Sequence, residues 1–202
     1  MSEWLNEYWH LLVVLVIVTI IAAVIFVMAG RALSRHNKEY KAQEQEIKHL
    51  LKLKEKYRNL TDEVILSADV GELLEGTALS YQLILQKKDD IEGSFNEMND
   101  SKRDIYALDV FVQDASVKEF FSENGDILRK RIALAFSRIG MEDFAKRIEK
   151  IALMYDKDDE TVSYSEKELE GMDEYIQQND ILTEIKLKAA EYIKKNCGEF
   201  VN

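Results

Sequence analysis

The feature that most constrains this chain is an uncharged apolar run near its start. Leu11 to Ala29 reads LLVVLVIVTIIAAVIFVMA, and Thr19 carries its one hydroxyl. At about 1.5 Å per residue, a helix of this length spans roughly 28 Å, which is close to the hydrocarbon thickness of a bilayer. A helix in a water-soluble core would show a polar face, and this run has none. The run therefore predicts a transmembrane helix at 11–29.

The residues beside this run predict its orientation. Three aromatic residues come just before it, where amphipathic rings prefer the headgroup region. Basic residues follow it directly and none precedes it, so the positive-inside rule places residues 1–10 outside and the rest of the chain in the cytoplasm. The predicted location is the cell membrane, with a single pass. The residues predicted to lie at the membrane interface are Trp4, Tyr8, Trp9, Arg31, Arg35 and Lys38.

Two further features agree with an uncleaved anchor that leads into the cytoplasm. The first ten residues carry Glu3 and Glu7 but no Lys or Arg, whereas a secretory signal peptide begins with a basic region. Cys197 is the only cysteine, so no intrachain disulfide can form, and this favours a reducing compartment.

Charge divides the remaining chain sharply. Residues 30–60 carry nine Lys/Arg and four Asp/Glu, a net of +5, and residues 61–202 carry eighteen and thirty-two, a net of −14. Anionic headgroups attract the first segment and repel the second. We therefore expect a basic juxtamembrane stalk at 30–60, followed by an acidic domain at 61–202. Direct nucleic-acid binding by that domain is disfavoured because phosphates need cations, and Arg129 to Arg131 is expected to be a solvated helix face.

An apolar stripe with mostly three- and four-residue spacing runs through the stalk. It is consistent with the seam of a short coiled-coil homodimer, or with a face that packs on the domain that follows. Both alternatives stay open at this point. The stripe consists of Tyr40, Ile47, Leu50, Leu53, Tyr57, Leu60 and Val64.

The acidic domain is predicted to be all-α. The chain has no proline and only eight glycines, and no alternating pattern long enough for a strand competes with the helical periodicity. Capping residues and glycine stops divide it into a bundle of about six amphipathic helices, the first of them from Asp69 to about Met98. Its predicted inward face is Leu73, Leu74, Ala78, Tyr81, Ile84, Leu85 and Ile91.

Capping boxes mark the starts of three later helices, and glycines mark the ends of three helices, which are not all the same ones. Each box pairs a serine with an acidic residue three positions on, so that each side chain can satisfy a free backbone N–H. A glycine after the last periodic residue is a strong stop signal. The boxes are Ser101 with Asp104, Ser116 with Glu119 and Ser165 with Glu168, and the stops are Gly125, Gly140 and Gly198.

Residues 105–201 resemble the bacterial DNA-mimic-protein-like helical domain. The stretches that carry the resemblance are DIYALDVFVQD, VKEFFSENGD, LRKRIALAFSRIG and EYIKKNCGEFV. The resemblance implies a helical fold, and in the namesake members an acidic surface that imitates DNA phosphates. Ala115-Ser116 stands where the family often has a glycine pair. The matching positions are Phe120-Phe121, Asn124-Gly125, Ile139-Gly140, Tyr192-Ile193 with Asn196, and Phe200.

One stretch resembles the start of a calcium loop. Asp156, Asp158 and Glu160 place carboxylates at alternate positions. An EF-hand also needs a glycine at its sixth position and a glutamate at its twelfth, where this chain has Thr161 and Lys167. The pattern is more typical of a solvated acidic loop, so these three residues are only the weakest of metal candidates.

No pattern in the chain is typical of an enzyme. The three histidines, His10, His36 and His49, all precede the acidic domain. No phosphate-binding loop, dinucleotide glycine fingerprint or nucleophile elbow is present. The sequence therefore predicts neither a catalytic residue nor a cofactor, and an unrecognised enzyme is the least favoured interpretation.

These patterns favour a membrane-tethered interaction module over other functions. Its acidic surface would attract a basic protein partner and speed their encounter. The alternative is a structural protein of the envelope that oligomerises through its anchor and stalk. The expected partners are the lipid bilayer, a basic protein and, through the stalk, a second copy.

Overall fold

The computed structural model describes residues 40–41, 43–155 and 166–201. The chain divides into two compact units, Met1–Leu51 and Lys52–Asn202. In the first unit, residues 40–41 and 43–51 are helical, and Lys48 pairs with Glu44 one turn away at 2.6 Å. Tyr40 and Ile47 are 63% and 57% exposed. This first half of the predicted stripe therefore has its apolar side chains in solvent.

The predicted spanning helix at 11–29 and its six interface residues lie outside the described residues. Within 40–41, 43–155 and 166–201, every helix is either too short or too polar to cross a membrane. The predicted fold class is corrected accordingly. The described chain supports an all-α fold, without a transmembrane helix as one of its elements.

The second unit contains more helices than the six predicted. Ten α-helices and one short 3-10 helix occur in its described residues, and none of these residues forms a strand. The helices are α1 (52–56), α2 (Asp62–Ser67), α3 (Val70–Leu85), α4 (Ile91–Glu97), α5 (Asp100–Asp114), α6 (Val117–Glu123), α7 (Asp126–Arg138), α8 (Glu142–Tyr155), α9 (Glu166–Gln178) and α10 (Ile181–Lys195), and the 3-10 helix is Cys197–Glu199.

The predicted helix from Asp69 to Met98 is two helices. Asp69 caps α3 as expected, because its carboxylate accepts a hydrogen bond from the Gly71 N–H at 2.8 Å. A second cap was missed at Asp90, whose carboxylate accepts from the Gly93 N–H at 2.8 Å and starts α4. An aspartate that satisfies free N–H groups favours a new helix start over continuation of the old helix. The polar residues 86–90 therefore form a break.

The predicted serine caps have different outcomes. Ser116 caps α6 as predicted, with its hydroxyl accepting from the Glu119 N–H at 3.2 Å. Ser101 does not cap α5, since Asn99 accepts from the Lys102 N–H at 2.8 Å. Ser165 lies outside the described residues.

The predicted stop at Gly140 is confirmed by the turn between α7 and α8. Gly140 has a φ of +80°, a left-handed conformation that favours glycine. Its N–H donates to Ser137 and the Met141 N–H donates to Phe136, both at 2.9 Å. These bonds satisfy the last carbonyls of α7 and close the helix.

The core is built around α5, which packs against α3 on one side and α7 on another, while α7 packs against α8 and α3 against α10. Buried phenylalanines join these helices. The rings of Phe111 and Phe136 meet edge to face at 5.1 Å, and those of Phe136 and Phe144 at 4.7 Å. Edge-to-face pairs of this kind stabilise a core beyond their buried area.

The end of the predicted stalk belongs to this core. Leu53, Tyr57 and Leu60 are at most 2% exposed, as the packing alternative for the stripe expects. Tyr57 packs closely against α3 at Gly76, where a Cβ atom would overlap the tyrosine ring. Gly76 therefore allows a close approach that no larger residue would tolerate in the same geometry.

Two residues of the predicted inward face are exposed instead. Ile84 is 37% exposed and Ile91 is 57% exposed, while Leu73, Leu74 and Tyr81 are buried as predicted. The break at 86–90 changes the direction of the chain, so the periodicity of α3 does not continue into α4. Ile91 lies beside a groove on the surface of the unit.

Candidate functional site

An apolar groove lies where α4 meets the end of α3, the middle of α5 and the start of α7. Its volume is about 300 Å³. Glu92 is the only charged residue among those that line it. We call it the α4 groove, and its lining residues are Leu85, Ile91, Glu92, Phe95, Tyr106, Ile127 and Leu128.

The position of α4 is set by its cap and by one aromatic contact. The Asp90 cap leaves no room for a side chain at Gly93, where a Cβ atom would overlap the aspartate carboxylate. Phe95, on the opposite face of the short helix, is 5% exposed and meets the Tyr106 ring edge to face at 5.6 Å. Burial raises the pKa of Tyr106, with Asp109 as a further cause, so its hydroxyl stays neutral.

The α4 side of the groove is acidic. Residues 89–97 contain four carboxylates and no Lys or Arg, and all four side chains belong to exposed residues. On the α7 side, Asp126 is paired with Arg129 at 2.5 Å and approaches Lys130 at 3.8 Å. Beside the groove, the carboxylates outside these ion pairs are therefore those of Asp89, Asp90, Glu92 and Glu97.

A buried ion cluster holds α5 against α7. Asp104 of α5 is 1% exposed, and its two carboxylate oxygens lie 2.5 Å from Arg131 Nε and 2.8 Å from Arg138 Nε. Both contacts are close, and they act as ion pairs. Burial raises the pKa of Asp104, and the two guanidinium groups oppose that shift by stabilising the carboxylate.

The cluster extends to the surface and to the C-terminal segment. Arg131 also bonds Asp100 at 2.8 Å, and this contact, with one from Arg103, lowers the pKa of Asp100. Ser101 bonds the Tyr192 hydroxyl at 2.9 Å and also reaches Glu199. The cluster thus ties α5, α7, α10 and the 3-10 helix into one frame.

A second buried acid on α5 carries no ion pair in the described contacts. Asp109 is 6% exposed and accepts a hydrogen bond from the Gln113 amide at 2.6 Å. Burial, with Glu75 as a further cause, raises the pKa of Asp109 to about 7, against smaller opposing effects of Gln113 and Lys186. It is a buried acid that titrates near neutral pH.

The site residues predicted from the sequence are not among those that the structure describes. Asp156, Asp158 and Glu160, like the six membrane-interface residues, lie outside the described residues. Across the described ranges, no three His, Cys, Asp or Glu side chains come together in a way that could hold a metal ion. The structure therefore tests neither the calcium alternative nor the interface prediction.

Sequence reasoning missed the ion cluster, and it placed one groove residue wrongly. Asp104 was assigned to a cap and Arg131 to a solvated face, but Asp104 is buried and Arg131 is only 13% exposed. A signal for them existed: Asp104 shares a helical stripe with buried Leu108 and Phe111, and Arg131 and Arg138 are seven residues apart on one face of α7. Ile91 had no such signal because its exposure follows from the break before α4.

No protein-family model, curated protein or solved structure matches this chain.

Proposed function

We propose that residues 52–201 form an acidic interaction module that takes a basic amphipathic helix of a partner protein into the α4 groove. The observation that carries this proposal is the apolar lining of the groove beside residues 89–97, which contain four carboxylates and no Lys or Arg. An apolar groove gives a partner helix a place for its anchors, and the surrounding charge selects its sign.

A helix suits this groove better than an extended peptide. The described residues form no strand, so they offer no sheet edge to which a peptide could add. The groove lies between helices, and an amphipathic helix can insert side chains spaced three and four residues apart. Ile91, which is 57% exposed, would lose most of its contact with water in such a complex.

Charge favours a basic partner over an acidic one. Residues 61–202 carry a net charge of −14, so the surface as a whole attracts cations. Lysines on the polar face of the helix would approach Asp89 and Glu92, while glutamates at the same positions would be repelled. Exposed ion pairs add little affinity but raise the association rate and make it depend on salt.

The experiment uses a synthetic helical peptide of about 18 residues, with leucines on one face and lysines on the other, and a matched peptide with glutamates in place of the lysines. Binding of each labelled peptide to the full chain is measured by fluorescence anisotropy at low and high salt. We expect the lysine peptide to bind, with weaker affinity at high salt, and the glutamate peptide not to bind.

The variant Ile91→Ser tests whether the groove is the binding site, and Leu187→Ser on α10 is its matched control. Leu187 is 49% exposed and does not line the groove. Loss of the isoleucine contact should cost about 1.4 kcal/mol, which is about tenfold in Kd. Equal affinities of the two variants for the lysine peptide would show that the groove is not the binding site. Equal binding of the lysine and glutamate peptides would show that the site does not select a basic partner.

The resemblance to the DNA-mimic-like domain suggests a narrower form of the same proposal, in which the basic partner is a DNA-binding protein. Duplex DNA should then displace this chain from a partner that it retains on a column. A retained partner that DNA does not displace would leave the interaction module in place and reject the mimic. The predicted tether and cytoplasmic location are not needed for either form, since they depend on residues outside the described ranges.

A further inference from the structure

We infer that the face formed by α7 and α8 binds a second copy of this chain around a two-fold axis. Each of the two helices leaves a leucine in solvent on this face. Leu134 is 53% exposed and Leu153 is 60% exposed, and both line the same groove. Large aliphatic side chains that share a groove indicate a contact surface more strongly than isolated ones do.

The floor between these leucines consists of small side chains. Ala133, Ala145 and Ala152 line a groove of about 480 Å³, which we call the α7–α8 groove. Alanines allow the backbone of another helix to approach closely, and the leucines of that helix could then enter the groove. The same face thus offers both projecting side chains and the space to receive them, as a two-fold interface requires.

The charged residues of this face sum to zero, which favours a second copy of the chain over a strongly charged partner. The charged lining residues are Lys130, Lys146, Glu142 and Glu149, which sum to zero. The chain as a whole carries −11, so two copies repel each other wherever their acidic surfaces meet. A neutral face is where two such molecules can come together, whereas it gives no advantage to a strongly basic or acidic occupant.

The positions of the charged residues along α8 make this face complementary to the same face of a second copy. Glu142 and Lys146 are four residues apart and therefore lie on one face of the helix. An antiparallel α8 from a second copy, with the axis midway between these positions, places Glu142 of one copy opposite Lys146 of the other, and the pair occurs twice. Within one chain, Lys146 Nζ lies 3.6 Å from a carboxylate oxygen of the highly exposed Asp143. An ion pair this long and this exposed is weak, so Lys146 can pair with Glu142 of a second copy instead.

Charge reversal in the full chain is the decisive experiment, with self-association measured by sedimentation equilibrium. Glu142→Lys and Lys146→Glu each place like charges opposite each other and should weaken self-association about tenfold. The double variant exchanges the two charges and should restore it, which a change in the stability of the single chain would not do. Leu153→Ser should also weaken it at least tenfold, and Leu187→Ser should have no effect.

Three outcomes would overturn the inference. The first is a wild-type chain that stays monomeric up to about 0.1 mM, a concentration at which even weak specific dimers form. The second is self-association that Ile47→Ser abolishes and Leu153→Ser leaves intact, because the predicted stalk seam would then be the interface. The third is a double reversal no better than the single ones. None of these affects peptide binding at the α4 groove, so this inference and the proposed function can fail separately.

Discussion

The two grooves of the second unit differ in charge more than in apolar character. Aliphatic side chains make up at least half of the lining residues of each groove. The α4 groove has Glu92 as its one charged lining residue and lies beside a run of carboxylates, whereas the α7–α8 groove has two lysines and two glutamates. In both grooves the apolar lining contributes to binding, and the charged residues determine which partner binds. On this argument, one face serves a basic partner and the other a second copy.

The largest expected effect comes from a substitution in the buried ion cluster, which should disrupt both grooves. Asp104→Asn should lower the free energy of unfolding by about 3 kcal/mol, because Arg131 and Arg138 lose the carboxylate that neutralises them. Urea denaturation measures the change. Asp143→Asn, at a side chain that is 99% exposed, is the control and should change stability by less than about 0.5 kcal/mol. A stable Asp104→Asn variant with both affinities unchanged would show that the cluster does not support the grooves.

A change of pH acts on the core through the buried carboxyl group of Asp109. Asp109 has a pKa of about 7 in the folded chain, against an ordinary value of 3.8. The folded chain holds this proton more tightly than the unfolded chain, so the contribution of Asp109 to stability falls as pH rises from about 4 through 7. Between pH 5 and pH 8 it should fall by about 2–3 kcal/mol.

The variant Asp109→Asn isolates this contribution. Since the amide does not titrate, urea denaturation of the variant should show a flatter dependence of stability on pH between 5 and 8 than the wild type does. The same slope in both proteins would mean that other groups cause it.

A substitution at Gly76 should separate stability from binding. Gly76→Ala forces Tyr57 away from α3 and should lower the free energy of unfolding by about 1–3 kcal/mol. Gly76 lines neither groove, so peptide affinity and self-association should stay at wild-type values wherever the variant is folded. Circular dichroism and the two binding assays check this, with Gly171→Ala, which meets no other group, as the control. A loss of binding by the folded variant would show that the grooves depend on the packing of Tyr57.

The smallest expected effect is the most direct test of the difference in charge between the two grooves. The double variant Asp89→Asn with Glu92→Gln removes two exposed charges beside the α4 groove. Each such charge contributes less than about 1 kcal/mol, so peptide affinity at low salt should fall only a few-fold, and the difference should vanish at high salt. Self-association should be unchanged. A similar loss in both assays would mean that net charge, rather than local charge, governs the two surfaces.

Local features of the fold were accessible from the sequence. The caps at Asp69 and Ser116 and the stop at Gly140 were predicted correctly, because each depends on hydrogen bonds within a few residues. The periodicity of α3 correctly predicted Leu73 and Tyr81 as buried. The cap at Asp90 was missed, and that single omission made two helices into one.

The sequence by itself determined that the domain is helical, acidic and without a recognisable catalytic pattern, since composition and short-range spacing decide these properties. Only the tertiary structure decided which charges are buried and which apolar residues remain exposed. Periodicity assigns a residue to a face of its helix but does not show what lies opposite that face. Asp104 faces two arginines more than twenty residues away in the sequence, and Leu134 faces solvent although the two residues on each side of it in the sequence are apolar. Both follow from how the helices pack against one another, which no local pattern encodes.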